Sequence, residues 1–232
     1  LYLLKSHTEL SLSLAGVLHD QGARFLNPYP SSVAAQDKII ASRRLREAGI
    51  PAPNSWVTGD LTLLRSEVEA HPLVIKPYRG HRGAGIHIVH NSDELATVPA
   101  PVSPMLVHEY IWGSGEDLKV YVVGEEVFAV RKPFSAISFS QPGQPCSVSA
   151  EVREIALRCG QAFGLGLYGL DVIEGPNGPT VVDLNFFPGY KGVPNAAYFI
   201  ANYIEDYARG RRSLDLPLLS AIPQRELEQL PA

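Results

Sequence analysis

Three residues in this chain are of types that apolar strands rarely carry unless they bind something. Asp171 interrupts the apolar run Leu170-Asp171-Val172-Ile173, and Asp183 and Asn185 close the next run, Val181-Val182-Asp183-Leu184-Asn185. Asp183 and Asn185 are two apart, so on a strand both side chains leave the same face. If the two runs pair as an antiparallel hairpin, Asp171 lies opposite them. Two carboxylates and an amide oxygen then meet at one place. That is a hard-oxygen set suited to Mg²⁺, or Mn²⁺ in its stead, bridging phosphate groups. A single acid at a strand end is ordinarily solvated; solvation alone does not explain three together.

The basic complement lies upstream. Lys76 ends the run Leu73-Val74-Ile75 and precedes Pro77, which sets its ammonium at a strand tip beside Gly80-His81-Arg82-Gly83-Ala84-Gly85. Glycines this dense let backbone N–H groups approach an anion, and Arg82 adds charge. The spacing lacks the Lys-Ser/Thr of a phosphate-binding P-loop and the helix of a dinucleotide fingerprint. By itself it reads equally well as a hairpin turn. The segment Val107-His108-Glu109-Tyr110-Ile111, just before Gly113, offers backbone groups to an adenine and an acid to a ribose. As chemistry it is also compatible with a plain core strand.

The elements that must position these residues follow from periodicity and turn residues. A strand over 2–4, a helix capped by Ser6 or Thr8 with Leu10, Leu14, Val17 and Leu18 at helical spacing, and a strand over 23–26 give a βαβ-like start. A helix from Ser31 or Ser32 to Ala48 ends on Gly49 with Pro51 and Pro53 beyond. Next come a strand over 55–57, a helix over 61–70 and the hairpin strands 73–76 and 86–89. Beyond a proline-rich linker at 98–104, strands are expected over 106–111, 118–123 and 127–131, the last two joined at Gly124-Glu125. Residues 133–147 read as a loop. A helix over 152–163, strands 168–173 and 180–184 around the turn 175–178, and a helix over 195–208 complete the pattern. The fold class is α/β, built of α+β subdomains: a segment 1–30, subdomains 31–105 and 106–212, and a tail 213–232.

Composition narrows the partners. The 232 residues carry a formal charge of -4, with 45% hydrophobic and 19% charged residues, as in an ordinary globular chain. Such a balance gives no overall pull toward nucleic acid or an anionic membrane, so any anion must be met by a local basic cluster. No apolar run approaches the roughly 20 residues that span a bilayer. Two sparse cysteines, Cys146 and Cys159, suggest free thiols in a reducing, cytoplasmic setting. The chain opens on Leu1-Tyr2-Leu3-Leu4 without an initiator Met, which leads us to expect further sequence upstream.

In order, Lys38 on its helix, Val74-Ile75-Lys76-Pro77, the glycine-rich stretch, 107–111 and Asp171 with Asp183-x-Asn185 resemble the ATP-grasp enzymes over about residues 31 to 208. The nearest likeness is to the branch of the ribosomal-protein-S6 glutamate ligases and glutathione synthetases, carried by Gln36-Asp37-Lys38 and Ala48-Gly49-Ile50-Pro51. The resemblance implies an ATP-grasp fold with ATP held between the sheets of two subdomains, after a partial βαβ segment. It implies that Lys38 and Lys76 contact phosphates and adenine, and that Gly80, Arg82, Gly83 and Gly85 close over the β- and γ-phosphates. Glu109, Tyr110 and Ile111 would form the adenine hinge, with Glu116 or Asp117 near the ribose. Lys119 and Arg131 would face the γ-phosphate, and Asp171, Asp183 and Asn185 would hold one or two Mg²⁺.

The acceptor is where the resemblance divides. Ligases of this branch usually show Ser-Pro-Gly after the metal residues, whereas this chain has Phe186-Phe187-Pro188-Gly189-Tyr190-Lys191. That form is similar to the inositol-phosphate kinases, and His81 and His87 lie near positions where those kinases bind substrate. The glycine-rich stretch is closer to the ligases. A small-molecule acceptor is implied in either case, with His7, His81, Gly189, Tyr190 and Lys191 as candidate contacts. Lys5, Ser6 and Thr8 share the His7 loop, where capping of the following helix is an equal explanation. The balance favours a carboxylate–amine ligase over a kinase. A regulatory nucleotide-binding module is the third reading, and assembly into a homo-oligomer stays open.

Overall fold

In the computed structural model, residues 1–78, 85–133 and 143–215 are described. Three sheets organise them. Strands β1 (Tyr2–Leu3) and β2 (Phe25–Leu26) pair in parallel around α1 (Glu9–Asp20), the expected βαβ-like start. Thr8 caps α1 by accepting from the Ser11 N–H. Most of the expected stripe is not the face that packs, however: Leu10, Leu14 and Val17 are 70%, 57% and 57% exposed, while Leu18, with Leu12 and Ala15, packs on the larger core. Periodicity marks an apolar stripe but does not say which stripe the neighbouring elements cover.

The helix expected over 31–48 is two helices, α2 (Tyr29–Gln36) and α3 (Lys38–Glu47). Asp37 separates them. Its backbone is extended (φ -83°, ψ 110°), and its carboxylate accepts from the N–H groups of Ile39 and Ile40. A short acidic side chain that caps a new helix outcompetes continuation of the old one. The break makes Lys38 the first residue of α3.

Strands β3 (Ser55–Thr58), β4 (Leu73–Pro77), β5 (His87–Val89) and β6 (Met105–Glu109) form an antiparallel sheet in the order β3-β6-β4-β5. Its covering elements are a 3₁₀ turn at Leu61–Leu64, α4 (Arg65–Ala70) and α5 (Ser92–Thr97). The continuous helix expected over 61–70 is thus divided at Leu64, and α5 was not foreseen. Asn91 starts α5 by accepting from the Glu94 N–H. The third sheet, in the order β11-β10-β7-β8-β9, is wholly antiparallel: β7 (Glu116–Val123), β8 (Glu126–Pro133), β9 (Gln144–Cys146), β10 (Leu167–Gly175) and β11 (Gly178–Phe186). Strand β9 falls in the stretch read as loop. Helices α6 (Ala150–Phe163) and α7 (Ala196–Ala208) complete the set.

Burial divides into two clusters. The smaller gathers Leu61, Leu64, Val68, Leu73, Ile75, Val89, Leu95 and Val107. The larger joins the five-stranded sheet and α6 to Leu4, Ala15, Phe25, Ala35, Ala41 and Leu45. The start of the chain, α2 and α3 therefore share a core with the C-terminal sheet, and the smaller core begins later than residue 31. A helical pattern shows that one face is buried, not against which partner. Among the described residues no helix is long and apolar enough to cross a membrane, and Cys146 and Cys159 are free thiols.

Candidate functional site

The hairpin β10–β11 brings the acids together. Asp171 and Asp183 are direct cross-strand partners, with a register irregularity immediately after them, and Asn185 pairs with Gly169 one step along the same face. On the other side of β10, Asp171 is opposite Lys119 of β7. The Lys119 ammonium holds Asp171 at 2.7 Å and Asp117 at 3.1 Å. Lys38, delivered by the break at Asp37, holds Asp183 at 2.6 Å. Lys76 reaches over from the four-stranded sheet and donates to the Val182 carbonyl at 3.5 Å. Lys38, Lys76, His108 and Asp183 thus meet where the two sheets and α3 adjoin, around a narrow pocket with room for about one water.

Partial desolvation makes these charges act on one another. Burial raises the Asp171 pKa; Lys119 opposes the rise, and the neighbouring Asp183 charge adds to it. Burial would raise Asp183 too, but Lys38 and Lys76 outweigh it and hold this acid low. The Lys76 ammonium is pushed down to about 8, chiefly by burial. Burial likewise opposes the charge on Lys119, yet Asp171 and Asp117 hold it protonated, above the ordinary lysine range. His108, on the cleft face of β6, is pushed down to about 3 by burial and then by Lys76, so it is neutral. Its Nε2 lies 3.1 Å from the Ser42 hydroxyl, which donates to the Lys38 carbonyl at 2.7 Å. With the hydroxyl proton so used, Nε2 is the donor to Ser42. A neutral histidine thereby ties the β6 wall to the first turn of α3.

Of the expected cations, Lys38, Lys76 and Lys119 converge, and Arg131 does not. Antiparallel pairing sets Arg131 opposite Leu118 and Lys132 opposite Asp117, so Lys132 shares the face of Lys119 while Arg131 takes the opposite one. Arg131 is ion-paired with Glu174 at 2.6 Å and Glu116 at 3.8 Å. Lys132 is only 5% exposed, and its pKa is lowered by burial and by Lys119 and Lys191. The signal for Lys132 was present in the chain. Counting outward from a two-residue turn at Gly124-Glu125 pairs residue 117 with 132.

The remaining candidates separate as follows. Asp117 sits in the Lys119 cluster, whereas Glu116 turns to Arg131. At the hinge, Glu109 N–H and Tyr110 N–H donate to Asn54 and Pro72 carbonyls, the Glu109 carboxylate accepts from Asn54 at 2.9 Å, and Ile111 follows beyond the end of β6. Gly85 has φ +73° and packs on Pro77, a left-handed turn that favours glycine. Gly80, His81, Arg82 and Gly83 lie outside the described residues. His7 stacks on Phe186 with ring centroids 4.2 Å apart. Gly189 and Lys191 are exposed on the loop after β11. Tyr190 is not available as an open contact: it is 5% exposed and its hydroxyl donates to the Val122 carbonyl at 2.7 Å. Its left-handed backbone (φ +51°) turns the ring into the core.

No group of three or more His, Cys, Asp or Glu among the described residues is arranged to hold a metal. The set here is two carboxylates and an amide, and its chemistry fits a hard divalent cation. Burial first, and the Asp183 charge in addition, raise the Asp171 pKa, and a bound cation would offset both.

A family model described as the RimK-like ATP-grasp domain matches residues 35–204. A probable alpha-L-glutamate ligase of Thioalkalivibrio sulfidiphilus is 27% identical over 212 residues, covering 80% of this chain and 69% of the relative. The structure of D-alanine–D-alanine ligase from Bacillus anthracis complexed with ATP has a TM-score of 0.72 at 24% identity, covering 90% of this chain and 79% of that one. The ATP-grasp ligase PsnB, complexed with minimal precursor, Mg and ADP, gives a TM-score of 0.65 at 25% identity, covering 85% and 67%.

Proposed function

The chain belongs to the RimK-like ATP-grasp family, and from that premise we propose that it is an Mg-ATP-dependent carboxylate–amine ligase acting through an acylphosphate. The observation that carries this reading is the pairing of Asp171 with Asp183 on a face that also gathers Lys38, Lys76, Lys119 and Lys132. Such a face binds and orients polyphosphate and offsets charge that spreads during phosphoryl transfer.

In this proposal the adenine lies at the hinge of Glu109, Tyr110 and Ile111, and Asp117 stands toward the ribose side. Lys38 and Lys76 neutralise phosphate oxygens, and Gly80, Arg82, Gly83 and Gly85 cover the outer phosphates. Lys119 and Lys132 face the transferred phosphoryl, the place that the resemblance implied for Lys119 and Arg131. Asp171, Asp183 and Asn185 hold Mg²⁺, or Mn²⁺ in its stead, which supplies positive charge to the phosphate oxygens. The acceptor carboxylate takes the phosphoryl group, the amine then attacks the activated carbon, and phosphate leaves. His7, Gly189 and Lys191 border the acceptor, a small molecule. Of the subdomains expected at 31–105 and 106–212, the first keeps its own core only from about residue 55 onward, because α2 and α3 pack with the second; segments 1–30 and 213–232 flank them in sequence. Free thiols accord with the reducing cytoplasm, where we place the protein.

The kinase reading is not favoured: PsnB, D-alanine–D-alanine ligase and the glutamate-ligase relatives are named as ligases. Incubation with Mg-ATP and pools of amino acids, di-acids and inositol phosphates tests the choice. A ligase yields ADP, free phosphate and a new amide; ADP with a phosphorylated hydroxyl product and no phosphate release would overturn the assignment.

A further inference from the structure

The loop after β11 departs from ordinary backbone geometry and is held from the other end of the chain. Phe187 and Tyr190 have φ of +44° and +51°, a left-handed conformation that non-glycine residues adopt only when surroundings enforce it. One enforcement is local: the Phe187 N–H donates to the Leu167 carbonyl at 2.8 Å, and Tyr190 is anchored to Val122. The other comes from the loop between β1 and α1. The Lys5 ammonium donates to the carbonyls of Phe187 and Pro188, both at 3.2 Å, and stands 4.7 Å from the centre of the Phe187 ring. Beside it, His7 stacks on Phe186, and Gln36 of α2 fixes the His7 carbonyl at 3.0 Å.

The position of this loop matters because of what it adjoins. Phe186 follows Asn185 directly, and Pro188 lies over Gly169, where an added Cβ would come within 3.0 Å of the proline ring. Gly169 is the cross-strand partner of Asn185. Pro188 therefore abuts the Gly169–Asn185 end of the strand pair, two residues along from Asp171 and Asp183, and Gly189 and Lys191 follow it in the loop. A lysine satisfies two carbonyls at once because it carries three donors, and a charge-assisted bond is stronger than a neutral one.

We propose that Lys5 is a positioning residue that latches the 186–191 loop, setting the acceptor side of the cleft while leaving the nucleotide side untouched. The latch is a matter of geometry; its assignment to the acceptor side rests on the ligase reading. Hydrogen exchange followed by mass spectrometry on the full chain tests the latch without any turnover. In Lys5→Met the Phe187 and Val193 amides should exchange about tenfold faster, as expected when a charge-assisted tie to a local segment is lost. Lys5→Arg, which keeps donors and charge, should restore most of the protection. Among the pool compounds the wild type turns over, Lys5→Met should raise the acceptor KM while the ATP KM stays within about twofold. Unchanged exchange at those two amides, or an increase spread evenly over the chain, would overturn the latch. A raised ATP KM with an unaltered acceptor KM would overturn its assignment to the acceptor side. Because exchange is read without ATP, failure of the latch is distinct from failure of the ligase reading.

Discussion

Arg131 and Lys132 are neighbours on β8 and belong to opposite faces of the five-stranded sheet. On one face, Arg131 is 38% exposed and pairs with Glu174, itself 36% exposed. Those charges meet in water, and a pair of this kind contributes about 0–1 kcal/mol. On the other face, Lys132 is buried near Lys119 and Lys191, with Asp117 and Asp171 beyond. Among the described residues, Lys38, Lys76, Lys119 and Lys132 there confront Asp117, Asp171 and Asp183. The first face uses charge to stay solvated. The second gathers lysines whose charge burial disfavours, an arrangement that an anionic ligand would stabilise.

The largest break in that contrast should come from the acids. Asp183→Asn keeps the shape and removes the charge that faces Lys38 and Asp171. We expect kcat/KM to fall by about 10³-fold or more, as when a metal-binding carboxylate is lost. Circular dichroism and a thermal melt should show the fold intact. Near-wild-type turnover would remove the acid pair from the chemistry altogether. Next is Lys132→Met, for which a drop in kcat/KM of about 10²-fold is expected, the usual cost of removing a charge that stabilises a transition state. Its circular dichroism should stay that of the wild type, so that the loss is one of turnover. A simple structural role would lower stability together with activity.

Much of this was legible in the chain for physical reasons. The hairpin around 175–178 was legible, but counting from that turn sets Asp171 against Val182; the register shift between Asp171 and Val172 is what brings Asp171 opposite Asp183, and no residue type announces it. The hinge and the Lys76 strand tip followed from apolar runs with abrupt ends. Arg131 and Lys132 were harder. Ala129 and Val130 are both buried, so β8 is apolar on both faces and alternation of polarity does not reveal which cation enters the cleft. Only the register from Gly124-Glu125 does. Asp37 was hidden as well, since a cap in mid-pattern looks like one polar residue of a longer helix. Tyr190 misled in the same way: its neighbours Pro188 and Gly189 read as an open loop, whereas a left-handed backbone turns its ring into the core.

The nucleotide side of the contrast can be sharpened by pH. Burial leaves Lys76 with a pKa of about 8 in the free protein. Its protonated form is the one that attracts phosphate, so that form is complete well below pH 8 and lost as pH rises through it. We expect kcat/KM for ATP to fall by about tenfold per pH unit above about 8. In Lys76→Arg, which stays charged, the fall should vanish. Stability should run the opposite way. Between about 8 and the ordinary lysine value the unfolded chain holds the proton more tightly, so the Lys76 contribution to stability rises with pH. A flat profile for the wild type would mean that Lys76 stays protonated or does not meet the nucleotide.

The smallest expected effect is the most exacting check on the two faces. Arg131→Gln removes a guanidinium whose partners, Glu174 at 2.6 Å and Glu116 at 3.8 Å, are both more than a third exposed. We expect kcat/KM within about twofold of wild type and a stability loss of at most about 1 kcal/mol, shared with Glu174→Gln in a double-mutant cycle. Register decides which cation enters the site, because a slip of one residue in β8 would exchange every inward and outward side chain. If Arg131→Gln were to cost about 10²-fold while Lys132→Met cost little, β8 would have to be paired one residue away from Asp117↔Lys132. The lysine face would then contain an arginine suited to bidentate phosphate binding, and the buried position of Lys132 would need another explanation.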